Sequence, residues 1–186
     1  GRVGGERGGG QLGGGSGEGG VEEGGGWVEE EEKARQHLGK ADLVVVGRYG
    51  GAAMGFLRRF GEACKPGAVV TDVTGVKEAV IALAQDCLPS NVEFVGGHPM
   101  AGRECSGYQS AIPDLFCGCN YVITPTAAND PEAVALVEEM ARYAGAGRIT
   151  YAEADKHDEM IAYTSQMAHV LASAIVQNSR LMSSLG

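Results

Sequence analysis

Proton transfer near neutral pH is the chemistry that an imidazole does best, and one histidine of this chain stands where it could do it. His98 lies between Gly97 and Pro99 in the stretch Val95-Gly-Gly-His-Pro-Met-Ala-Gly-Arg-Glu-Cys-Ser-Gly107. That stretch follows an apolar strand, so it falls at the carboxyl edge of a sheet, where α/β proteins bind ligands. Gly96, Gly97, Gly102 and Gly107 are expected to let the backbone turn tightly and approach a flat ligand. The flanking Gly97 and Pro99 limit the backbone and so point the ring one way. Catalysis is the role expected of His98. A second polar set comes later: Ser165 and His169 are four apart and share a helix face, while His157, twelve residues before His169, is rotated from it by about 120°. For His157 the expectation is a structural role, capping or cross-linking packed helices.

The elements that must hold these groups can be read from periodicity. Asp42-Leu-Val-Val-Val46 is a β-branched run of the kind buried in a parallel sheet. Ala52 to Cys64 carries Ala53, Met54, Phe56, Leu57 and Phe60 at helical spacing, and Lys65-Pro66-Gly67 breaks it. Ala68 to Asp72, Val92 to Val95, Tyr121 to Thr124 and Arg148 to Tyr151 read as further strands, with helices over Lys77 to Cys87 and Pro131 to Ala144. The last of these has Pro near its first turn and Gly145 beyond its end. Strands alternating with helices predict an α/β sheet with parallel crossovers. Residues 153–185 contain neither Pro nor Gly and repeat apolar residues at helical spacing, which predicts one long helix or two joined end to end. The run Glu29 to Glu32 followed by Lys33-Ala34-Arg35 is only a weak helix start.

Charge and composition set the outer limits. Fifteen of the 31 glycines lie in residues 1–26, and the first 32 residues carry a net charge of −6 out of −9. Glycine there has maximal backbone entropy to lose and little apolar surface to offset it, so this tail is expected to be disordered. The predicted division is a disordered Gly/Glu-rich tail over 1–33, a partial nucleotide-binding α/β domain over 34–151, and the start of a helical domain over 152–186. No basic patch exists to bind nucleic acid. No apolar run has the length of a membrane span, and a cytoplasmic protein is expected. The five cysteines are odd in number and include no Cys-x-x-Cys pair. They predict reduced, mostly buried thiols and no metal site.

Four segments in order carry a resemblance. Gly96-Gly-His-Pro-Met-Ala-Gly102 resembles the signature loop of the prephenate and arogenate dehydrogenases. Thr71-Asp-Val-Thr-Gly-Val-Lys77 resembles the strand and turn before that loop, and Asp114-Leu-Phe116 with Tyr121-Val-Ile-Thr-Pro125 resembles the next strand. His157-Asp-Glu-Met-Ile-Ala-Tyr-Thr-Ser-Gln-Met-Ala-His169 resembles the start of the family's helical domain. Together they cover nearly all of residues 40–186.

The resemblance implies a partial Rossmann-like dinucleotide-binding domain, followed by the first helices of an all-α dimerisation domain. It implies an oxidoreductase of tyrosine biosynthesis that oxidatively decarboxylates prephenate with hydride transfer to NAD or NADP, arogenate being the alternative substrate. His98 would take the proton of the ring hydroxyl as a neutral imidazole, with activity rising near its usual pKa of about 6.5. The cofactor would contact Gly47, Asp72, Val73, Pro99 and Met100, and the substrate Ser165, His169 and Gly75. A complete family member would be a homodimer.

The chain also departs from the family pattern. The Gly-x-Gly-x-x-Gly turn expected before residue 40 is absent, and the Gly-rich strings of residues 1–26 have no preceding strand to give them that meaning. This supports the alternative of a non-catalytic remnant or regulatory module, and the chain is expected to be incomplete at both ends. Gly47-Arg48-Tyr49-Gly50 puts a charge where relatives have an apolar residue and Pro. Gly75 stands where many relatives carry a Ser that helps to orient the histidine. The substrate-carboxylate arginine of the family has no counterpart here; Arg103 is the nearest substitute.

Overall fold

The computed structural model describes residues 25–48, 50–102 and 111–177. Five strands form one sheet in sequence order: β1 (Leu43–Val46), β2 (Val69–Asp72), β3 (Glu93–Pro99), β4 (Asn120–Thr124) and β5 (Arg148–Tyr151). β1, β2 and β3 run parallel, with Val46 opposite Asp72 and Thr71 opposite Val95, and β4 and β5 are parallel to each other.

The helices pack on both faces because the strand residues alternate. Val70 points to one side, joining Ala53, Leu57 and Phe60 of α2 (Gly50–Phe60) and Val80, Ile81 and Ala84 of α3 (Glu78–Cys87). Its neighbour Val69 points to the other, joining Ala133, Val137 and Ala141 of α4 (Pro131–Tyr143). The spacing of these buried positions, three or four residues apart, is that of a helix lying on a sheet. α4 starts where the Asp130 side chain accepts the Glu132 N–H at 2.8 Å, and it ends before Gly145, whose φ of 103° suits glycine.

One expectation needs correction. β3 and β4 are antiparallel, Gly97 facing Ile123 and His98 facing Val122, so the sheet is mixed. A parallel neighbour requires a crossover, usually a helix. The described part of this connection, residues 111–119, holds only turns, and the Met100 N–H closes the return on the Asn120 carbonyl at 2.8 Å. The weak helix start at Glu29 to Arg35 falls inside a helix. α1 (Gly25–Leu38) covers the end of the expected tail because Leu38 is buried in the α2–α3 core and Ala34 packs against it. Apolar anchors at the end of a polar, glycine-led segment fix what composition alone would leave loose. The rest of the tail, residues 1–24, lies outside the described residues, as do Arg103, Cys105, Gly107 and residues 178–186 of the expected C-terminal helix.

After β5 the chain forms α5 (Ala154–Ile161), a single π-helical turn (Ala162–Gln166) and α6 (Met167–Val176). His157 and Ile161 of α5 are buried, whereas α6 has no buried residue and exposes Val170, Leu171, Ile175 and Val176. Of the four described cysteines only Cys64 is buried; Cys87 and Cys119 are half-buried and Cys117 is exposed. Among the described residues no helix is long and apolar enough to cross a membrane.

Candidate active site

A cleft of about 460 Å³ opens at the carboxyl edge of the parallel strands. Gly50, Thr74, Gly75, His98, Met100 and Ser165 are among the residues that line it. Two strands contribute through their ends. β2 stops at Asp72 and turns through Thr74 and Gly75 into α3, and β3 ends in His98 and Pro99, while the π-helical turn brings Ser165 across from α5.

His98 is held by a histidine distant in sequence. Its Nδ1 lies 2.8 Å from Nε2 of His157, and the rings meet edge to face with centroids 5.0 Å apart. The Nδ1 of His157, a fully buried side chain, lies 2.7 Å from Oδ1 of Asp158. Asp158 accepts two further hydrogen bonds from the start of α3, the Lys77 N–H on Oδ1 at 2.8 Å and the Glu78 N–H on Oδ2 at 3.0 Å. Burial works against a charged Asp158, but the hydrogen bonds from Glu78, His157 and Lys77 outweigh it and hold the carboxyl below its ordinary range.

Beneath His98 lies a buried ion pair. Lys77 and Asp72 are both fully buried, and the Lys77 ammonium donates to the Asp72 carboxylate and to the Gly97 carbonyl at 2.6 Å. Asp72 also accepts the Thr74 N–H at 3.0 Å and the Gly97 N–H at 3.1 Å. Burial pulls Lys77 below its usual range, and Asp72 opposes the fall. His98 responds to the same surroundings. Burial, then the neighbouring His157 and Lys77, lower its pKa to about 4. The neutral form expected of a base is therefore secured well below neutral pH, and the titration expected near 6.5 is displaced.

The glycines of the loop serve a different purpose from the one expected. A Cβ on Gly96 would collide with the Thr124 hydroxyl, and one on Gly97 would lie 2.8 Å from the Asp72 carbonyl. Gly96 and Gly97 thus admit the protein's own groups rather than a flat ligand. Gly102 and Gly47 face open space, and a Cβ on Gly75 would sit 3.8 Å from Cε1 and Nε2 of His98.

Gly75, His98, Met100 and Ser165 therefore share the cleft. Gly47 is exposed just past β1, Val73 is half-buried just past β2, and Asp72 and Pro99 are buried at the ends of β2 and β3. His169 is exposed on α6 and is not among the residues lining the cleft. The π-helical turn between α5 and α6 carries Ser165 and breaks the regular helix that would have set it on one face with His169. Arg48 is exposed, so its charge sits in solvent and not in packing. Lys77 and His157 were not among the expected site residues. The adjacent His157-Asp158 pair at a helix start, and the charges of Asp72 and Lys77 bracketing the Gly75 turn, were the available signals.

Residues 22–150 match the family model described as the prephenate dehydrogenase nucleotide-binding domain. The chain is 32% identical to a prephenate dehydrogenase of Bacillus subtilis over 60% of its length, covering 30% of that protein. It is 33% identical to a cyclohexadienyl dehydrogenase of Zymomonas mobilis over 61% of its length, covering 38% of that protein. Among solved structures, the prephenate dehydrogenase of Aquifex aeolicus matches with a TM-score of 0.73 at 26% identity, over 81% of this chain and 52% of that one. The arogenate dehydrogenase of Synechocystis matches with a TM-score of 0.67 at 27% identity, over 82% and 56%. The chain thus spans about a third of the curated relatives and about half of the solved ones. With that likeness running through the sheet and the loop of His98, the chain belongs to the prephenate dehydrogenase family, by way of its nucleotide-binding domain.

Proposed function

We propose that this chain is the catalytic-base half of a dehydrogenase that oxidatively decarboxylates prephenate with NAD or NADP. The observation that carries the reading is His98: a neutral imidazole, held by His157, with its Nε2 edge toward Gly75 in a cleft at the carboxyl edge of a parallel sheet. The cleft wall fits the nicotinamide end of the cofactor, because Gly50, Gly75 and Gly102 leave room for a flat ring and Met100 offers an apolar face. Gly47, Asp72, Val73, Pro99 and Met100 are the groups proposed around it, Asp72 acting from below through the Gly97 backbone. A Gly-x-Gly-x-x-Gly turn for the diphosphate is not found among the described residues.

When bound, the nicotinamide supplies a hydride acceptor. His98 Nε2 takes the proton of the substrate's ring hydroxyl while the carbon bearing it loses hydride. The bond to the ring carboxylate then breaks, carbon dioxide leaves, and its electron pair completes the aromatic ring. Gain of aromaticity makes the step downhill, so the protein has to supply chiefly a base and alignment. Ser165, on the far wall of the cleft, is the proposed substrate contact; His169 joins it only if the π-helical turn rearranges.

Arogenate is the second reading, supported by the likeness to the Synechocystis enzyme. The exposed apolar side of α6 supports its reading as the opening of a helical dimerisation domain, and hence a homodimer in the complete protein. A cytoplasmic location follows from the same biosynthetic role. The test is direct: the chain, mixed with prephenate or arogenate and NAD or NADP, is expected to generate reduced cofactor, read by its absorbance. Binding of neither dinucleotide in a fluorescence titration overturns the catalytic reading and leaves a non-catalytic module of the same fold.

A further inference from the structure

We propose that His157 and Asp158 are positioning residues that set the tautomer of His98, leaving its Nε2 unprotonated toward the cleft; this rests on the reading of His98 as the base. The tautomer follows from a count of protons. Asp158 accepts the backbone N–H groups of Lys77 and Glu78, so its carboxylate is an acceptor on both oxygens. The 2.7 Å contact from His157 Nδ1 to Oδ1 must then carry its proton on the histidine. A neutral ring bears one N–H, so His157 Nε2 is a lone pair. The 2.8 Å contact between that lone pair and His98 Nδ1 needs a proton, and His98 must supply it. The remaining nitrogen of His98, Nε2, is therefore bare, and it is the one beside Gly75.

The ends of this chain of contacts are fixed. Asp158 cannot reverse without breaking its hydrogen bonds to the first turn of α3, and the fully buried His157 cannot reverse without losing Asp158. When Nε2 gains a proton, the Nδ1–H bond to His157 becomes charge-assisted and strengthens, with Asp158 behind it. Lys77 and Asp72, the other charged groups nearby, are bonded to each other and to Gly97, and compete for neither nitrogen.

The experiment is two-bond proton–nitrogen correlation NMR on the uniformly labelled chain at neutral pH, the four histidines assigned by single substitutions. His98 and His157 are both expected as Nδ1–H tautomers, and an Nε2–H His98 overturns the proposal without any variant. His157→Leu removes the acceptor and is expected to move His98 toward the Nε2–H form, lowering kcat about 10- to 100-fold with KM changed less than about threefold. His157→Gln, which returns an acceptor oxygen near the lost Nε2, is expected to restore the Nδ1–H form and most of kcat. A His98 tautomer unmoved by His157→Leu also overturns it. Absence of turnover with an Nδ1–H His98 removes the functional reading and keeps this one; turnover with an Nε2–H His98 does the reverse.

Discussion

Lys77 and Asp72 meet as an ion pair with neither side chain exposed, five residues apart across the turn that leads from β2 into α3. Because the ammonium also holds the Gly97 carbonyl and the carboxylate the Gly97 N–H, the pair clamps both backbone groups of the residue before His98.

Removing one partner leaves the other charge buried alone, which is costly. Lys77→Met is expected to destabilise the chain by about 3–5 kcal/mol, and the double variant with Asp72→Asn to recover part of that loss. Urea unfolding of the two single variants and the double variant checks it. Independent, additive effects would show that the pair is not coupled.

His98→Asn keeps a polar side chain but removes the base. Turnover is expected to fall by about two to four orders of magnitude, with a smaller change in KM, in steady-state assays with prephenate. An equal loss from a distant surface substitution would remove His98 from the chemistry.

The acid limb of the activity profile should report the unusual surroundings of that ring. With a pKa of about 4 in the folded protein, His98 is expected to keep kcat/KM flat as pH falls toward 5, and to lose it through about 4 rather than near the usual 6.5. The stability consequence has a definite sign. The folded value lies below the unfolded one, so the unfolded chain binds the proton more readily. The contribution of His98 is complete above about pH 6.5 and is lost as pH falls through about 4. Urea midpoints of the chain and of His98→Asn, compared at several pH values in this window, give the difference.

The two glycines before His98 should fail in different ways. Gly96→Ala meets the Thr124 side-chain oxygen, so Thr124→Ala is expected to relieve much of a loss of about 1–3 kcal/mol. Gly97→Ala also meets the Asp72 carbonyl, a backbone group, and Tyr121→Phe is not expected to rescue it. Thermal or urea denaturation separates the cases.

Gly75→Ser would place a hydroxyl within reach of His98 Nε2, since a Cβ there meets only ordinary contact and Gly75 has no positive φ. A hydroxyl donating to that lone pair competes with the substrate's own, and a hydrogen bond of about 1 kcal/mol corresponds to a fall of about fivefold in kcat/KM. An unchanged or raised kcat/KM would mean that Nε2 is not the proton acceptor.

The alternation of Val69 and Val70, and the helical spacing of Ala53, Leu57 and Phe60, made the sheet and its covering helices legible in the sequence, because burial follows local period. The direction of β4 was not legible, since strand polarity depends on the path of a connection with no periodic signal. α1 showed only as a weak helix start at Glu29 to Arg35, because its glycine-led, acidic composition masks Ala34 and Leu38, which anchor it. In the site, His98 announced itself through its neighbours in the chain. His157 did not, because its partner lies 59 residues away, and Lys77 did not, because a lysine is seldom fully buried.

The grip of Asp158 on the first amides of α3 also ties the imidazole pair to the sheet and its covering helix. Ile161, the last residue of α5, is buried, whereas the π-helical turn Ala162–Gln166 has no buried residue and carries Ser165. The two walls of the entrance are thus anchored differently, the proton acceptor through backbone amides and the facing hydroxyl on a turn with no buried side chain.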